Sequence, residues 1–198
     1  LLSQDIAYIN DFILHMPAQH NLSNSLVAIT VCMILKIDIN KIVKSLNVFK
    51  GISRRFDVHI DSVKNVYIDD YAHHPTEIRE VLNGVRAAYK KEEVICIFQP
   101  HRISRLKDLK KEFSLSFKKA DVVILCPIYT AGEKIKLGFK YNNFAKDIIK
   151  NSKVKLFMVE DQYQLAKFIK NTIFGKKIVV GMGAGTISTW MRQLPELI

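Results

Sequence analysis

Residues 94–98 have the sequence Val-Ile-Cys-Ile-Phe, and residues 122–126 have the sequence Val-Val-Ile-Leu-Cys. A strand that is apolar at every position is buried on both faces, as in a parallel sheet covered by helices on each side. Amphipathic stretches with helical spacing lie between these two runs and four further strand-like segments. This alternation predicts an α/β domain with a Rossmann-like, doubly wound and mostly parallel sheet.

The predicted elements cover most of the chain. Strands are predicted over residues 56–60, 65–69, 94–99, 122–127, 154–159 and 177–181. Helices are predicted over residues 75–90, 105–117, 143–150, 162–172 and 186–194. Residues 1–48 are predicted to be helical, with one helix over residues 21–36 and a second after an N-cap at Asp38. Since the pattern breaks at residues 49–53, we predict two domains, residues 1–53 and residues 54–198.

Length and composition limit the class of protein. The chain has 198 residues, 48% of them apolar, which suffices for one full domain and part of another. Its longest apolar stretch, residues 26–35, is well short of the roughly 20 residues that span a bilayer. The sequence shows no secretory signal and its three cysteines are scattered, so we expect reduced cysteines and a cytoplasmic location. Because the chain begins at Leu1 within a pattern, we expect a fragment.

The formal net charge is +11, from 30 Lys and Arg residues against 19 Asp and Glu residues. A basic surface attracts polyanions such as nucleic acids and phospholipids. The lysines are spread along the chain and are not concentrated in one arm or tail. That distribution favours solvated lysines, so we expect neither a nucleic acid nor a membrane as partner.

Ligands of doubly wound sheets bind at the carboxyl ends of the strands, where the chain places two polar clusters. Residues 69–77, Asp-Asp-Tyr-Ala-His-His-Pro-Thr-Glu, join a predicted strand to a predicted helix. Asp70 could accept hydrogen bonds from a sugar hydroxyl, and His73 and His74 could bind an anion or a metal. Alternatively, Asp70 and His74 only cap the helix that begins near Pro75.

The second cluster is Gln-Pro-His-Arg-Ile-Ser-Arg at residues 99–105, directly after the most apolar strand. Arg102 and Arg105 are three residues apart, so they could share one face at the start of a helix. Guanidinium groups bind carboxylates and phosphates through two parallel hydrogen bonds. Two cations at a helix amino terminus oppose the helix dipole, which disfavours a purely structural role.

Two further polar segments are weaker signals. Residues 181–186, Gly-Met-Gly-Ala-Gly-Thr, are predicted to form a plain tight turn, because they lack the spacing of a dinucleotide-binding loop. Residues 20–24, His-Asn-Leu-Ser-Asn, start a helix in which Asn21 or Asn24 indicates an N-cap. No GxxxxGKS or GxxxxGKT loop occurs in the chain, so it supplies no phosphate-cradling loop of that type.

Five of these segments together resemble the Mur ligase family. Residues 20–24 resemble the HNxxN element that closes the central ATP-binding domain, and residues 51–56 resemble the GxxRRF element at its junction with the carboxy-terminal domain. Residues 69–77 resemble DDYxHHPTE, residues 99–105 resemble QPHRxxR, and residues 181–186 resemble the GAG turn. The pairing of HHP with QPHR is similar to the members that join L-alanine to UDP-N-acetylmuramate.

The resemblance implies a fold and a reaction. Residues 54–198 would be the carboxy-terminal ligase domain, preceded by a helical remnant of the central ATPase domain. ATP would phosphorylate the carboxylate of UDP-N-acetylmuramate, and the amine of L-alanine would attack the acyl phosphate. The ligands of Mg²⁺ and the phosphate-binding loop would lie mainly in the amino-terminal and central domains, which this chain lacks. Alone, the chain would be inactive and would act as a lid over ATP held elsewhere.

The resemblance also implies roles for individual residues. Asn21 and Asn24 would contact the adenine side of ATP, Arg55 its terminal phosphates and Asp70 its ribose. The amino-acid and acyl end of the site would be formed by Tyr71, His73, His101, Arg102 and Arg105. Among all of these, the expected catalytic residues are Arg55, Asp70 and His73, and no metal ligand is expected in this chain.

Three alternatives remain open at this point. A muropeptide recycling ligase of the same family shares the HHP element but lacks the QPHRxxR form. A metal-dependent phosphoesterase would use Asp69, Asp70, His73 and His74 as ligands, together with further ligands at other strand ends. A nucleic-acid-binding module would use the basic charge.

Overall fold

The computed structural model describes residues 13–15, 19–61, 65–134, 140–172 and 174–198. The chain divides into two compact units, Leu1–Gly51 and Ile52–Ile198. Residues 1–12 and 16–18, which were predicted to be helical, lie outside the described residues. In the described part of the chain, no helix is both long enough and apolar enough to cross a membrane.

The described residues of the first unit form the helices α1 (Gln19–Ile34) and α2 (Ile39–Val48). The carboxylate of Asp38 accepts hydrogen bonds from the backbone N–H groups of Asn40 (3.0 Å) and Lys41 (3.2 Å), which confirms the predicted N-cap. Since α1 already includes Gln19, Asn21 and Asn24 lie inside the helix. The prediction that either of them is an N-cap was therefore wrong.

The second unit is built on a six-stranded sheet. Its strands are β1 (Asp57–Asp61), β2 (Asn65–Asp70), β3 (Glu93–Phe98), β4 (Val122–Leu125), β5 (Lys155–Met158) and β6 (Lys177–Met182). The strand order is β1-β2-β6-β3-β4-β5. Only β1, at one edge, runs antiparallel to its neighbour β2, and the other pairs are parallel. The predicted mostly parallel α/β sheet is confirmed.

Among the described residues, six helices cover the two faces of this sheet. They are α3 (Pro75–Ala88), α4 (Ile103–Asp108), α5 (Lys110–Leu115), α6 (Tyr141–Ser152), α7 (Gln162–Thr172) and α8 (Ile187–Leu197). Side chains of α3 to α6 share one buried cluster with the sheet, and those of α7 and α8 share the other. In β3, Val94, Cys96, Ile97 and Phe98 have no exposed surface, so the apolar run is buried on both faces as expected.

One predicted helix is wrong in its extent. Residues 105–117 were predicted as a single helix, but α4 and α5 are separated at Leu109, whose φ of −112° and ψ of 26° are not helical. No Gly or Pro occurs there, so the pattern contained no signal for the break. Phe113 and Phe117 pack at 5.8 and 5.3 Å from the ring of Phe98. Those contacts hold the segment against β3, whose carboxyl end leads into the QPHR turn.

Candidate active site

Two arginines and an aromatic ring form one side of the carboxyl edge of the sheet. The Arg54 guanidinium lies 4.7 Å from the centroid of the Tyr71 ring, and that of Arg55 lies 5.6 Å from it. The backbone N–H of Tyr71 donates to the carbonyl of Arg54 (2.8 Å), which ties the two turns together. Both cations therefore lie within the range of a cation–π contact with one ring.

The turn between β2 and α3 is held by Asp70. This carboxylate is 3% exposed. Its oxygens accept hydrogen bonds from the backbone N–H groups of Phe56 (2.8 Å) and Ala72 (2.7 Å). Asp70 thus links the arginine turn to the turn that carries Tyr71 and His73. A contact of Asp70 with a ribose stays a prediction.

His74 and Glu77 start helix α3 by capping each other. His74 is the N-cap and accepts a hydrogen bond from the backbone N–H of Thr76, while Glu77 accepts from the backbone N–H groups of His73 (2.9 Å) and His74 (3.1 Å). Burial raises the pKa of Glu77. This effect of burial is outweighed by the hydrogen bonds from His73 and His74 and by the charges of His73 and Arg55. The pKa of Glu77 is therefore below its ordinary value. Glu77 is therefore an anion beneath His73.

The rings of His73 and His101 connect the two predicted clusters. Their centroids are 5.5 Å apart, and the ring of Tyr71 meets His73 edge-on at 5.1 Å. His73 Nδ1 lies 2.9 Å from the carbonyl oxygen of Tyr71. A carbonyl can only accept, so Nδ1 carries the proton and, in the neutral ring, the lone pair is on Nε2.

His101 has the opposite tautomer. Arg105 donates to its Nδ1 at 3.2 Å, and a guanidinium cannot accept a hydrogen bond, so the lone pair is on Nδ1 and the proton on Nε2. Burial lowers the pKa of His101, as do the positive charges of Arg105, His73 and Arg102, while Glu133 acts in the other direction. The result is a neutral imidazole at neutral pH.

The lowered pKa of His101 predicts how stability changes with pH. In the unfolded chain its pKa returns to about 6.5, so the unfolded state binds more protons just below that pH. The contribution of His101 to the free energy of unfolding is therefore complete above about pH 6.5 and is lost as the pH falls through the folded pKa. Urea denaturation between pH 7.5 and pH 5 should show a steeper loss of stability in the wild-type chain than in His101→Gln. Equal losses in both proteins would contradict the assignment.

Arg102 does not form the expected pair with Arg105 on a helix. It is the residue before α4, with φ 68° and ψ 132°, and only Arg105 lies in the helix. A non-glycine residue in such a conformation costs about 1–3 kcal/mol and persists where surrounding contacts impose it. The Arg102 side chain is exposed, and its guanidinium has no hydrogen-bond partner in the part of the chain that the structure describes. It can therefore bind an anion without breaking an internal contact.

The glycine turn after β6 packs against Gln99. A Cβ at Gly183, where φ is +151°, would lie 2.8 Å from the Gln99 carbonyl oxygen, and one at Gly185 would lie 2.5 Å from its Oε1. That Oε1 accepts the backbone N–H of Ile187 (3.1 Å) and caps α8. The prediction of a tight turn is consistent with this packing, which brings the end of β6 close to the site.

Comparison with known proteins identifies the family. Residues 54–185 match the family described as the Mur ligase, glutamate ligase domain. The chain belongs to the Mur ligase family. Over 179 residues, or 90% of the chain, it is 80% identical to a protein of Pelagibacter ubique named UDP-N-acetylmuramate–L-alanine ligase, of which it covers 39%. The chain thus spans about two fifths of the length of such relatives.

Two solved structures have the same fold. A UDP-N-acetylmuramate-alanine ligase from Thermotoga maritima superposes with a TM-score of 0.76 at 28% identity, over 93% of this chain and 39% of that one. A murein peptide ligase from Psychrobacter arcticus superposes with a TM-score of 0.68 at 20% identity, over 94% of this chain and 38% of that one. The second likeness is one of fold alone.

The predicted residues of this Mur ligase chain fall into three groups. Arg55, Asp70 and Tyr71 surround the β2 end, and they meet the β3 side through the contact of His73 with His101. Arg102 and Arg105 follow His101 on the β3 side. Asn21 is buried and Asn24 is exposed, both on α1 of the first unit.

Sequence reasoning considered Asp69 only as a possible metal ligand and missed its role as a buried carboxylate behind the site of this Mur ligase chain. Asp69 has no exposed surface, accepts a hydrogen bond from Ser188 and lies 4.0 Å from the Arg54 guanidinium and 3.7 Å from the His59 ring. Arg54 in turn donates to the Gly183 carbonyl (2.9 Å). Asp69 therefore holds Arg54 between the Tyr71 ring and the glycine turn. The available signals were an acidic residue at the end of an apolar strand and the basic doublet Arg54-Arg55 in the turn before β1.

The alternative of a metal-dependent phosphoesterase finds no support among the described residues. Asp69, Asp70 and His74 are each engaged by other protein groups. No group of three or more His, Cys, Asp or Glu side chains in the described ranges is placed to hold a metal ion.

Proposed function

We propose that this chain is the carboxy-terminal part of an ATP-dependent ligase that joins L-alanine to UDP-N-acetylmuramate. One observation carries the proposal. The His73 and His101 rings meet at 5.5 Å. This contact supports assigning Arg55, expected beside the phosphates, to the same site as Tyr71 and Arg102, which are expected at the amino-acid and acyl end. The substrates are proposed from the name of the relative that is 80% identical.

The proposed reaction has two steps. A carboxylate oxygen of UDP-N-acetylmuramate attacks the terminal phosphorus of ATP, and ADP leaves. The amine of L-alanine then attacks the carbonyl carbon of the acyl phosphate, loses a proton and expels phosphate, so that an amide forms. Negative charge develops on the phosphoryl and acyl oxygens, and positioned cations such as Arg55 would stabilise it.

The geometry suggests different roles for the two arginines of the QPHRxxR element. Arg105 donates a hydrogen bond to His101 (3.2 Å), whereas the exposed Arg102 guanidinium is able to donate to a carboxylate. We therefore propose that Arg102 binds the carboxylate of L-alanine and that Arg105 sets the tautomer of His101. We also propose that the Nε2 lone pair of His73 accepts the proton from the attacking amine.

The residues proposed to bind the nucleotide come from the family resemblance. Asn21 and Asn24 toward adenine, Arg55 toward the terminal phosphates and Asp70 toward the ribose stay predictions. Among the described residues, no group of three or more His, Cys, Asp or Glu side chains is placed to hold a metal ion. As the family resemblance implies, we propose that the ligands of Mg²⁺ lie mainly outside this chain. The division into residues 1–53 of a central ATP-binding domain and 54–198 of a ligase domain is a proposal too, as is a cytoplasmic location.

The muropeptide recycling ligase is the second candidate within the family. It would use the same carboxyl edge but transfer a peptide in place of a single amino acid. The 20% identity to the murein peptide ligase of Psychrobacter arcticus supports only a shared fold. The identity of 80% to a protein named for L-alanine favours the first candidate.

A chimera tests the proposed function. In it, this chain replaces the matching 179-residue segment of the Pelagibacter ubique ligase. The chimera should form one amide and one ADP per turnover from UDP-N-acetylmuramate, ATP and L-alanine, and should discriminate against glycine and L-serine. Amide formation only with a tripeptide such as L-alanyl-γ-D-glutamyl-diaminopimelate would favour the recycling ligase. Phosphate ester hydrolysis without amide formation would refute both candidates.

A further inference from the structure

The loop after β4, residues 129–133, lies against the QPHR turn and is here termed the β4 loop. Tyr129 donates its backbone N–H to the carbonyl of Pro100 (2.8 Å), and Arg102 donates its own to the carbonyl of Tyr129 (2.9 Å). His101 and Tyr129 thus form a parallel bridge beyond the ends of β3 and β4. The bridge attaches the backbone on either side of His101 to the β4 loop.

The side chain of Tyr129 covers the His101 ring. The two rings are stacked, with centroids 5.5 Å apart and planes inclined by 17°. A Cβ at Gly185 would lie 2.6 Å from Tyr129 Cγ, so the glycine turn supports Tyr129 at its base. His101 therefore has Tyr129 against one face and Arg105 bonded to its Nδ1, which leaves its ring little freedom to turn.

Glu133 secures the other end of the same turn. One carboxylate oxygen accepts the backbone N–H of Ser104 (3.0 Å), and the other accepts its hydroxyl (2.6 Å). These hydrogen bonds and the charge of nearby Arg102 lower the pKa of Glu133. Glu133 is therefore an anion anchored two residues from Arg102.

Strained backbone occurs on both sides of this contact. Arg102 has φ 68° and Ala131, within the β4 loop, has φ 51°. Conformations of this kind persist only where the surroundings impose them, and they concentrate at functional sites. The hydrogen bonds of Tyr129 and Glu133 enclose Arg102 on both sides, at Arg102 N itself and at Ser104.

We propose that Tyr129 and Glu133 are positioning residues for the amino-acid end of the site. Glu133 holds the turn that presents the Arg102 guanidinium, and Tyr129 holds the plane of the His101 ring. This inference rests on the proposed function, because it assigns the turn to the binding of the amino acid. It predicts that both residues affect the amino-acid substrate selectively.

The first test uses the chimera and compares KM values. Glu133→Ala should raise the KM for L-alanine by roughly 5- to 10-fold, the effect of losing one good capping interaction, and leave the KM for ATP within about twofold. Glu133→Gln keeps one acceptor for Ser104, so its KM for L-alanine should lie between those of the wild type and Glu133→Ala. Glu80→Gln, at a partly exposed acid on α3 outside the site, is the matched control and should resemble the wild type. Equal rises in both KM values would overturn the proposal.

Tyr129 is tested by rescue. Tyr129→Phe keeps the stacked ring and should behave as the wild type, whereas Tyr129→Ala should raise the KM for L-alanine by about fivefold or more. If Tyr129→Phe is as damaging as Tyr129→Ala, the hydroxyl and not the stacked ring matters, which would contradict the proposed role.

A second readout is independent of ligation. Since the Glu133 carboxylate raises the pKa of His101 against the larger lowering by burial, Glu133→Gln in the 198-residue chain should lower that pKa further. NMR titration of the imidazole measures it, with Glu80→Gln again as control. An unchanged His101 pKa would overturn the claim that Glu133 acts on the turn that carries His101. If the unmodified chimera forms no amide, the proposed function fails, while this titration still decides whether Glu133 acts on the turn.

Discussion

Replacing Arg102 with alanine is expected to raise the KM of the chimera for L-alanine by roughly 100-fold, with little change in the KM for ATP. Removing one partner of a buried, hydrogen-bonded charge pair costs about 2–5 kcal/mol, and each 1.4 kcal/mol is about tenfold in affinity. We expect the pair of Arg102 with the carboxylate of bound L-alanine to be of this kind. Arg102 is exposed before binding, so its removal leaves no buried charge behind. The effect should therefore appear in substrate binding and not in the stability of the fold.

Two control variants make the Arg102 experiment specific. Arg79→Ala removes an exposed arginine of α3 that pairs only with neighbouring Glu80 among the described residues, and it should leave both KM values unchanged. Arg102→Lys keeps the charge but loses the planar fork, so it should recover only part of the affinity. Equal effects of Arg102→Ala on L-alanine and ATP would contradict the assigned role.

Replacing Asp69 with asparagine is expected to destabilise the second unit by about 3–5 kcal/mol, the usual cost of breaking a buried ion pair from one side. The carboxylate has no exposed surface and faces Arg54, His59 and the Ser188 hydroxyl. In Asp69→Asn the buried part of the Arg54 guanidinium no longer faces a negative charge. Urea denaturation of the 198-residue chain measures the change in the free energy of unfolding.

The matched control for Asp69 is Asp147→Asn. Asp147 pairs with Lys110 at 2.6 Å, but both side chains are about two fifths exposed, so the loss should be under about 1 kcal/mol. A similar loss of unfolding free energy in both variants would mean that the Asp69 carboxylate does not stabilise the position of Arg54. The pKa of His101 should stay the same in Asp147→Asn, since this residue lies outside the site.

Much of the fold follows from patterns within single segments. The fully apolar runs of β3 and β4 indicated a sheet covered on both faces. This is confirmed in β4, where no residue is more than 4% exposed. The helix over residues 162–172 agrees with α7 (Gln162–Thr172), because its amphipathic spacing is uninterrupted. Strand ends marked the places of the polar clusters, since parallel strands present their carboxyl ends at one edge.

The parts that sequence reasoning missed depend on contacts between distant segments. Glu133 is 29 residues from Ser104, and Tyr129 reaches His101 only because β4 pairs with β3. The pairing of Arg102 with Arg105 was predicted from their spacing, but the β4 loop forces Arg102 out of the helix. The sequence around Arg102 gives no sign of this conformation, because the residues that impose it lie in the loop after β4 and not in the turn after β3.

The most direct test of the account is the formation of UDP-N-acetylmuramoyl-L-alanine by three proteins under the same conditions. These are the chimera, the 198-residue chain alone and the Pelagibacter ubique ligase truncated before its matching segment. If this chain carries half of a ligase active site, the chimera should form the amide and ADP in equal amounts, and neither part should do so alone. A chimera that binds its substrates but forms no amide, or a chain that ligates by itself, would contradict the account.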